Sequence, residues 1–504
     1  MTLSTLLSYR AGKSRTTTLI KFGSERLSYQ EVDNRVTLCT GGLISLGLKR
    51  GGRVAILMEN CPEYIVSYFA ILRAGGIAVP VNTFLTPDEI SYILNDAGCE
   101  ILIHDDAFAY HAKKIRSALQ RLKPVVFDAI PRREAEERGA SEGGLAVLLY
   151  TSGTTGFPKG AMLTHGNLLS NAEASASALE VTYRDRFLVF LPLFHSFTFT
   201  ACVLVPLCSG ASVVLLKSVK PFSLVVKSII RDRITLLAGV PTVYNILSRK
   251  RMPFYMKYVL KIILNLRACI SGAAALPEDT LRNFEERFRV PLIEGYGLTE
   301  ASPVVAVNPL RGPRKPASVG LPLPGIEVSI IDEEGNTLGA GDTGELLVKG
   351  PNVMQGYYNL KEETEAALKG GWLHTGDMAR MDDDGYLFIV DRKKDLIIVD
   401  GMNVYPRQVE DMVMKHPSVE ECAMVGIPDG RGSETPVLFI KTREGVHAEE
   451  DEILRHLRGH VARFKMPRRI FSIDEFPKTA TGKIRKPELR KWSITGRAGK
   501  DREA

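Results

Sequence analysis

From Leu19 to about Pro316, short apolar runs alternate with longer amphipathic ones. RVAILME (53–59) precedes CPEYIVSYFAILRAG, GIAVPVN (76–82) precedes TPDEISYILNDAG, and ITLLAGV (234–240) precedes PTVYNIL. Alternation of this kind predicts βαβ units and mostly parallel sheets. Beyond Ser318 the rhythm shortens: EVSIID, GELLVKG and GYLFIVD are separated by Gly and Asp turns without long helices, which predicts an antiparallel sheet or small barrel. A third regime begins near Asp395. Strand DLIIVD, helix YPRQVEDMVMKH, strands ECAMVGI and PVLFIKT, and helix EEDEILRHLRGHVARF predict an α+β domain of about 100 residues. The charged, exposed DRKKD (391–395) is the junction between the last two regimes, and the last residues, TGRAGKDREA (495–504), are expected to fray. The cluster RREAEER, between Lys123 and Gly144, is read as a solvated connector, and no internal repeat is seen.

A chain of 504 residues is long enough for more than one core. Its most apolar stretch, Phe187 to Leu216, carries no Asp, Glu, Lys or Arg and has the length of a bilayer span. Pro192, Pro206 and Gly210 interrupt it, so the expectation is a buried strand, helix, strand unit. The N-terminus MTLSTLLSYRAGKSR lacks the pattern of a signal peptide. A composition of 45% hydrophobic and 24% charged residues is ordinary for a globular protein, and a net charge of +7 is too mild to imply nucleic acid as a partner. The seven cysteines form no C-x-x-C and are odd in number, which argues against a disulfide framework or thiolate zinc site. A reducing cytosol is the expected compartment.

One short segment changes the picture. Directly after the apolar LAVLLY comes TSGTTGFPKG (151–160), rich in hydroxyls and glycines with one lysine. Such a loop offers backbone N–H and side-chain O–H donors to phosphate oxygens, and glycine permits close backbone approach. It is not a Walker A loop: Pro158 stands five after Gly153, and Gly160 follows Lys159 where a hydroxyl residue would be required. The segment resembles the signature [ST]-S-G-[ST]-T-G-x-P-K-G of the adenylate-forming superfamily, which includes acyl-CoA synthetases, peptide-synthetase adenylation domains and beetle luciferases. Further blocks follow in that family's order: GAAALP (272–277), EGYGLTE (294–300), WLHTGD (372–377), DRKKDLIIVDGMNVYP (391–406) and PKTATGKI (477–484). The resemblance spans essentially the whole chain.

It implies an α/β fold: a large N-terminal domain of βαβ-built sheets with a small β-barrel-like subdomain (1–391), a hinge (392–394), a small mobile α+β C-terminal domain (395–492) and a tail (493–504). It implies a two-step reaction with ATP, Mg²⁺ and coenzyme A, in which a carboxylate becomes an acyl-AMP with release of pyrophosphate and a thiol then displaces AMP. The site needs donors and cations where charge develops on the phosphates. By resemblance, Thr151, Ser152, Gly153, Thr154, Thr155, Gly156 and Lys159 cradle the β- and γ-phosphates. Glu300 is the Mg²⁺-linked carboxylate and Thr299 an α-phosphate contact. Tyr296 stacks on adenine, and Gly272, Ala273, Ala274 and Ala275 leave room for a base or acyl chain. Asp377 accepts from the ribose hydroxyls, with Arg392 beside it. Lys483 bridges the acid and the nucleotide during adenylation. Lys394 takes the hinge position, and Gly401 the close approach to pantetheine. Many relatives have GGEN where this chain has Asp400, Gly401, Met402 and Asn403, which leaves the thiol side open.

By the same resemblance, the stretch after LPLFH contributes to the acyl pocket and His195 stands near the acid's carboxylate; packed core or a helix cap is the equal alternative for His195. No charged residue in FHSFTFTACVLVPL could pair with a substrate amine or second carboxylate, so an apolar acid is expected. LPLFHSFTFT and VDGMNVYP look most like bacterial fatty acyl-CoA synthetases, which makes a medium- to long-chain fatty acid the first choice and an aryl acid the second. A ligase loading a carrier protein, a luciferase-like oxidase and a non-catalytic homologue are the rivals; retention of Lys159, Glu300, Asp377, Arg392 and Lys483 together weighs against the last. Arg463, Lys465, Arg468 and Arg469 are read as a solvated face, with the coenzyme's phosphates or peripheral membrane contact as alternatives. His456 and His460, i,i+4 on an expected helix, have no third ligand and are read as surface.

Overall fold

The structure, a computed structural model, describes residues 1–151, 158–249, 264–400, 402–429, 433–446, 448–478 and 484–495. The fold is α/β, with a large N-terminal and a small C-terminal domain, and the chain separates into two compact units. Met1–Val328 with Leu347–His374 form one, and Ser329–Leu346 with Thr375–Ala504 the other.

The first unit holds two sheets. One has six strands in the order Lys123–Val126, Ile101–His104, Arg53–Leu57, Ile77–Pro80, Leu145–Thr151 and Lys159–Thr164. Its pairs are parallel except the last, where Leu145–Thr151 and Lys159–Thr164 run antiparallel with Thr151 opposite Lys159. Parallel strands are covered on both faces and therefore read as continuous apolar runs. Val54, Ala55, Ile56 and Leu57 are all buried, as that rule requires. One intervening helix, Pro87–Asp96, starts where the sequence supplies a cap: Thr86 accepts from Glu89 N–H while the Glu89 side chain reaches back, with Pro87 in the first turn.

The second sheet has nine strands, from Leu321–Pro322 through Val304–Val307, Leu292–Gly297, Ala268–Ser271, Leu236–Gly239, Arg186–Val189, Ser212–Leu215 and Thr18–Phe22 to Glu25–Ser28. The charge-free stretch contributes two parallel neighbours, Arg186–Val189 and Ser212–Leu215, joined by a helical segment at 196–209. That segment contains one π turn, Thr200–Leu204, and ends at Gly210 with a left-handed φ of 74°. Among the described residues no helix is long and apolar enough to cross a membrane.

After Ser318 come the short strands Glu327–Ile331, Gly344–Lys349, Leu373–Met381 and Leu387–Arg392, forming a four-stranded sheet in that order. Farther along, Val419–Pro428 pairs antiparallel with Glu434–Thr442, which pairs parallel with Arg469–Ser472. Helices Pro406–Val413 and Glu450–Leu457 supply Val409, Val413, Ile453 and Leu457 to a core that includes Met424 and Leu438. The expected helix through Phe464 stops at Leu457, because Arg458 turns extended and Gly459 takes a left-handed φ of 83°. His460 is therefore off the helix that carries His456. The strand Arg469–Ser472 and the helix Lys486–Thr495 were not expected from the pattern.

Candidate functional site

The glycine-rich segment is bounded by paired strands at both ends. Tyr150 lies opposite Gly160 and Thr151 opposite Lys159, so residues 151 and 159 mark the base of a hairpin. Ser152, Gly153, Thr154, Thr155 and Gly156 lie outside the described residues, as do Gly401 and Lys483.

On the free side of Lys159–Thr164 the chain adds a further extended segment. Met162 N–H donates to Gly356 O (2.9 Å), Gln355 N–H to Met162 O (2.9 Å) and Tyr358 N–H to Gly160 O (2.8 Å). The same segment reaches the turn after EGYGLTE: Asn352 Nδ2 donates to Ala301 O (2.8 Å) and Met354 N–H to Glu300 O (2.9 Å). Tyr357 connects the two groups. Its hydroxyl donates to Glu300 Oε1 at 2.9 Å, and Lys159 Nζ lies over its ring, 5.4 Å from the centroid. Burial, and then the Glu300 charge, push the Tyr357 phenol well above its ordinary value, so it stays protonated. Thr364 anchors the backbone here, its Oγ1 accepting from Tyr357 N–H at 2.8 Å.

Thr299 and Glu300 sit on a tight turn between Leu292–Gly297 and Val304–Val307. Leu298 N–H donates to Pro303 O (2.9 Å), and Ser302 N–H donates to Thr299 O (3.2 Å). The turn needs glycine at 297, since an ideal Cβ there would lie 2.0 Å from Pro303 O. Tyr296, half-buried, pairs with Ala306 on the neighbouring strand.

The apolar helical segment meets this turn twice. Ser196 Oγ and Thr299 Oγ1 are 3.3 Å apart, and Thr200 Oγ1 donates to Ser302 O at 3.3 Å. His195 caps the segment, its Nδ1 accepting from Phe197 N–H at 3.3 Å. An imidazole that accepts at Nδ1 is neutral there and carries its proton on Nε2. Phe197 lies against Gly272, whose ideal Cβ would be 3.0 Å from two of its ring carbons. Next to Gly272, Ala273 holds a left-handed φ of 68°, an uncommon conformation for a residue with a Cβ. The loop's far end is fixed by Glu294, which is buried and accepts from Leu276 N–H at 2.9 Å.

In the other unit, Asp377 is 3% exposed and pairs with Arg392, Nε to Oδ1 3.1 Å, across two neighbouring strands. Glu345 braces them, accepting from Gly376 N–H (3.2 Å) and Lys393 Nζ (2.8 Å). The carbonyl of Lys394 accepts from Arg490 Nη2 (3.3 Å), and Arg490 also approaches Asp395 (3.4 Å). Four residues earlier on the same helix, Lys486 pairs with Glu410 at 2.8 Å. Among the described residues no group of three or more His, Cys, Asp or Glu could hold a metal, His416, His456 and His460 included.

Sequence reasoning missed Tyr357, Asn352, Glu294 and Glu345. Each acts on a partner distant in the chain, and the one local hint is an aromatic residue after glycine in NVMQGYYN (352–359).

Two doubly covered sheets, paired strands flanking a hydroxyl- and glycine-rich sequence, and an acidic turn touching an uncharged helix are the makings of an adenylate-forming enzyme. The chain belongs to the AMP-binding enzyme family, whose model matches residues 7–358, followed by the AMP-binding enzyme C-terminal domain at 408–483. It is an ATP-dependent, AMP-forming acyl-CoA ligase. It is 35% identical to a long-chain-fatty-acid–CoA ligase of Bacillus subtilis, over 97% of this chain and 94% of that one. It is also 35% identical to a feruloyl-CoA synthase of Amycolatopsis, over 96% and 97%. The anthranilate CoA ligase AuaEII in complex with anthranoyl-AMP superposes with a TM-score of 0.90 at 30% identity, over 99% of this chain and 98% of that one.

Proposed function

We propose that this ligase activates a medium- to long-chain fatty acid. The observation that carries the reading is the contact of Ser196 with Thr299, which sets an uncharged helical segment against the acidic turn. A charged substrate terminus in that segment would find no partner, and burying an unpaired charge is costly. In the first step a carboxylate oxygen bonds to the α-phosphorus and the bond to the β-phosphate oxygen breaks, so that pyrophosphate leaves. In the second, the sulfur of coenzyme A bonds to the acyl carbon and AMP leaves with the electron pair.

In this reading Thr151, Ser152, Gly153, Thr154, Thr155, Gly156 and Lys159 hold the departing phosphates. Thr299 contacts the α-phosphate, and His195, with its proton on Nε2, offers a neutral donor to the acid. Tyr296, Gly272, Ala273 and Ala274 receive the base, while Asp377 and Arg392 hold the ribose. Lys483 bridges acid and nucleotide, Lys394 is the hinge, and Gly401 admits pantetheine. Glu300 would hold Mg²⁺: a single carboxylate among hydroxyls suits a hard cation that takes its other oxygens from phosphates and water. When bound, the cation neutralises charge on those phosphates.

Aryl acids form a second reading, favoured by the flat ring of Phe197 against Gly272 and by the feruloyl-CoA synthase relative. Acid-dependent ATP–pyrophosphate exchange across fatty, aryl and short acids tests both. Fatty acids of roughly eight or more carbons are expected to give the highest kcat/KM, and a preference for cinnamic or benzoic acids would replace the first reading by the second.

A further inference from the structure

Lys159 and Glu300 carry opposite charges and act, in the reading above, on the same nucleotide. Nothing in their chemistry keeps them apart: an ammonium and a carboxylate in a partly desolvated site attract each other strongly, and pairing would withdraw both from the phosphates. Among the described residues no ion pair joins them. Tyr357 satisfies each separately, giving the carboxylate its O–H at 2.9 Å and the ammonium its ring at 5.4 Å from the centroid.

We propose that Tyr357 is a positioning residue that holds the Lys159 ammonium and the Glu300 carboxylate apart and in place for the nucleotide. The inference rests on the adenylation reading. Its support is the way residue 357 is itself held. Tyr358 N–H and Met162 N–H pair the surrounding segment with the hairpin strand, Met354 N–H and Asn352 Nδ2 tie it to the acidic turn, and Thr364 Oγ1 fixes Tyr357 N–H. One rigid segment therefore spans both charged groups. Tyrosine supplies what both need from one flat side chain; phenylalanine keeps the face and loses the donor, and leucine loses both.

The test is calorimetric titration of wild type, Tyr357→Phe and Tyr357→Leu with ATP, with Mg²⁺ and with EDTA, alongside melting curves and pyrophosphate exchange. Y357F is expected to bind MgATP about tenfold more weakly while its metal-free ATP affinity stays within about twofold of wild type, because only the hydrogen bond to a charged group is lost. Y357L is expected to weaken metal-free ATP as well, about fivefold, because Lys159 loses its seat. Unchanged MgATP affinity in Y357F, or an equal loss with and without Mg²⁺, overturns the role. If Y357L does not fold, the two Y357F titrations decide alone. A wild type that never shows acid-dependent exchange brings down the adenylation reading and this role with it, whereas an exchanging wild type matched by Y357F removes only the role.

Discussion

Gly297→Ala puts a methyl group where an ideal Cβ lies 2.0 Å from Pro303 O, while ordinary contact begins near 3.4 Å. The carbonyl or the strand must therefore retreat by about 1.4 Å, more than an interior packed at crystal density absorbs. That same carbonyl accepts Leu298 N–H, so its retreat breaks the bond that closes the turn under Thr299 and Glu300. Loss of a partly buried hydrogen bond costs about 1–3 kcal/mol in stability. The functional cost is larger, because misplacing a reacting group by about 1 Å lowers rates about a hundredfold. Acid-dependent pyrophosphate exchange in G297A should thus fall about a hundredfold in kcat/KM, with a melting temperature lowered by a few degrees. Gly12→Ala is the control: beyond its chain neighbours and its own helix backbone no atom lies within 4 Å of its ideal Cβ, and alanine is the better helix former. Exchange by G297A within threefold of wild type would show that this turn does not set the geometry of the reaction.

Lys483→Ala should abolish acyl-AMP formation while preformed acyl-AMP still yields thioester with coenzyme A; normal pyrophosphate exchange in that variant would remove Lys483 from the first step. Lys394→Pro should slow overall synthesis yet spare one half-reaction, and equal loss in both, assayed separately, would count against a hinge. Burial lowers His165 from its ordinary 6.5 to about 4. Between those values the unfolded chain binds a proton that the folded one refuses, so stability is full above about 6.5 and declines toward pH 4, by up to about 3 kcal/mol. Melting curves across that range should show the decline, and His165→Gln should flatten it; an undiminished slope in the variant would assign the effect elsewhere.

The parallel sheets were legible because their strands are buried on both faces, leaving runs such as RVAIL and LAVLL that no solvent-exposed element would carry. The strand, helix, strand reading of 187–216 held for the same reason, with Pro206 and Gly210 marking the helix's last turn. Its π turn was not legible, since one widened turn leaves the apolar composition unchanged. The helix from Glu450 was read too long because its apolar spacing continues through HVARF, and Gly459 alone signals the stop. At the site, the order of the blocks could be read, and so could the possibility that His195 is a cap. The braces could not: Asn352 to Ala301, Glu294 to Leu276 and Glu345 to Lys393 join segments whose spacing carries no periodic signal.

Arg490 reaches back almost a hundred positions to the carbonyl of Lys394 and to Asp395. What looks like the beginning of a dispensable end is thus a strut. Cutting into the last helix would therefore unfasten the very stretch that DRKKD occupies. Anyone redesigning this end of the chain must leave that helix whole.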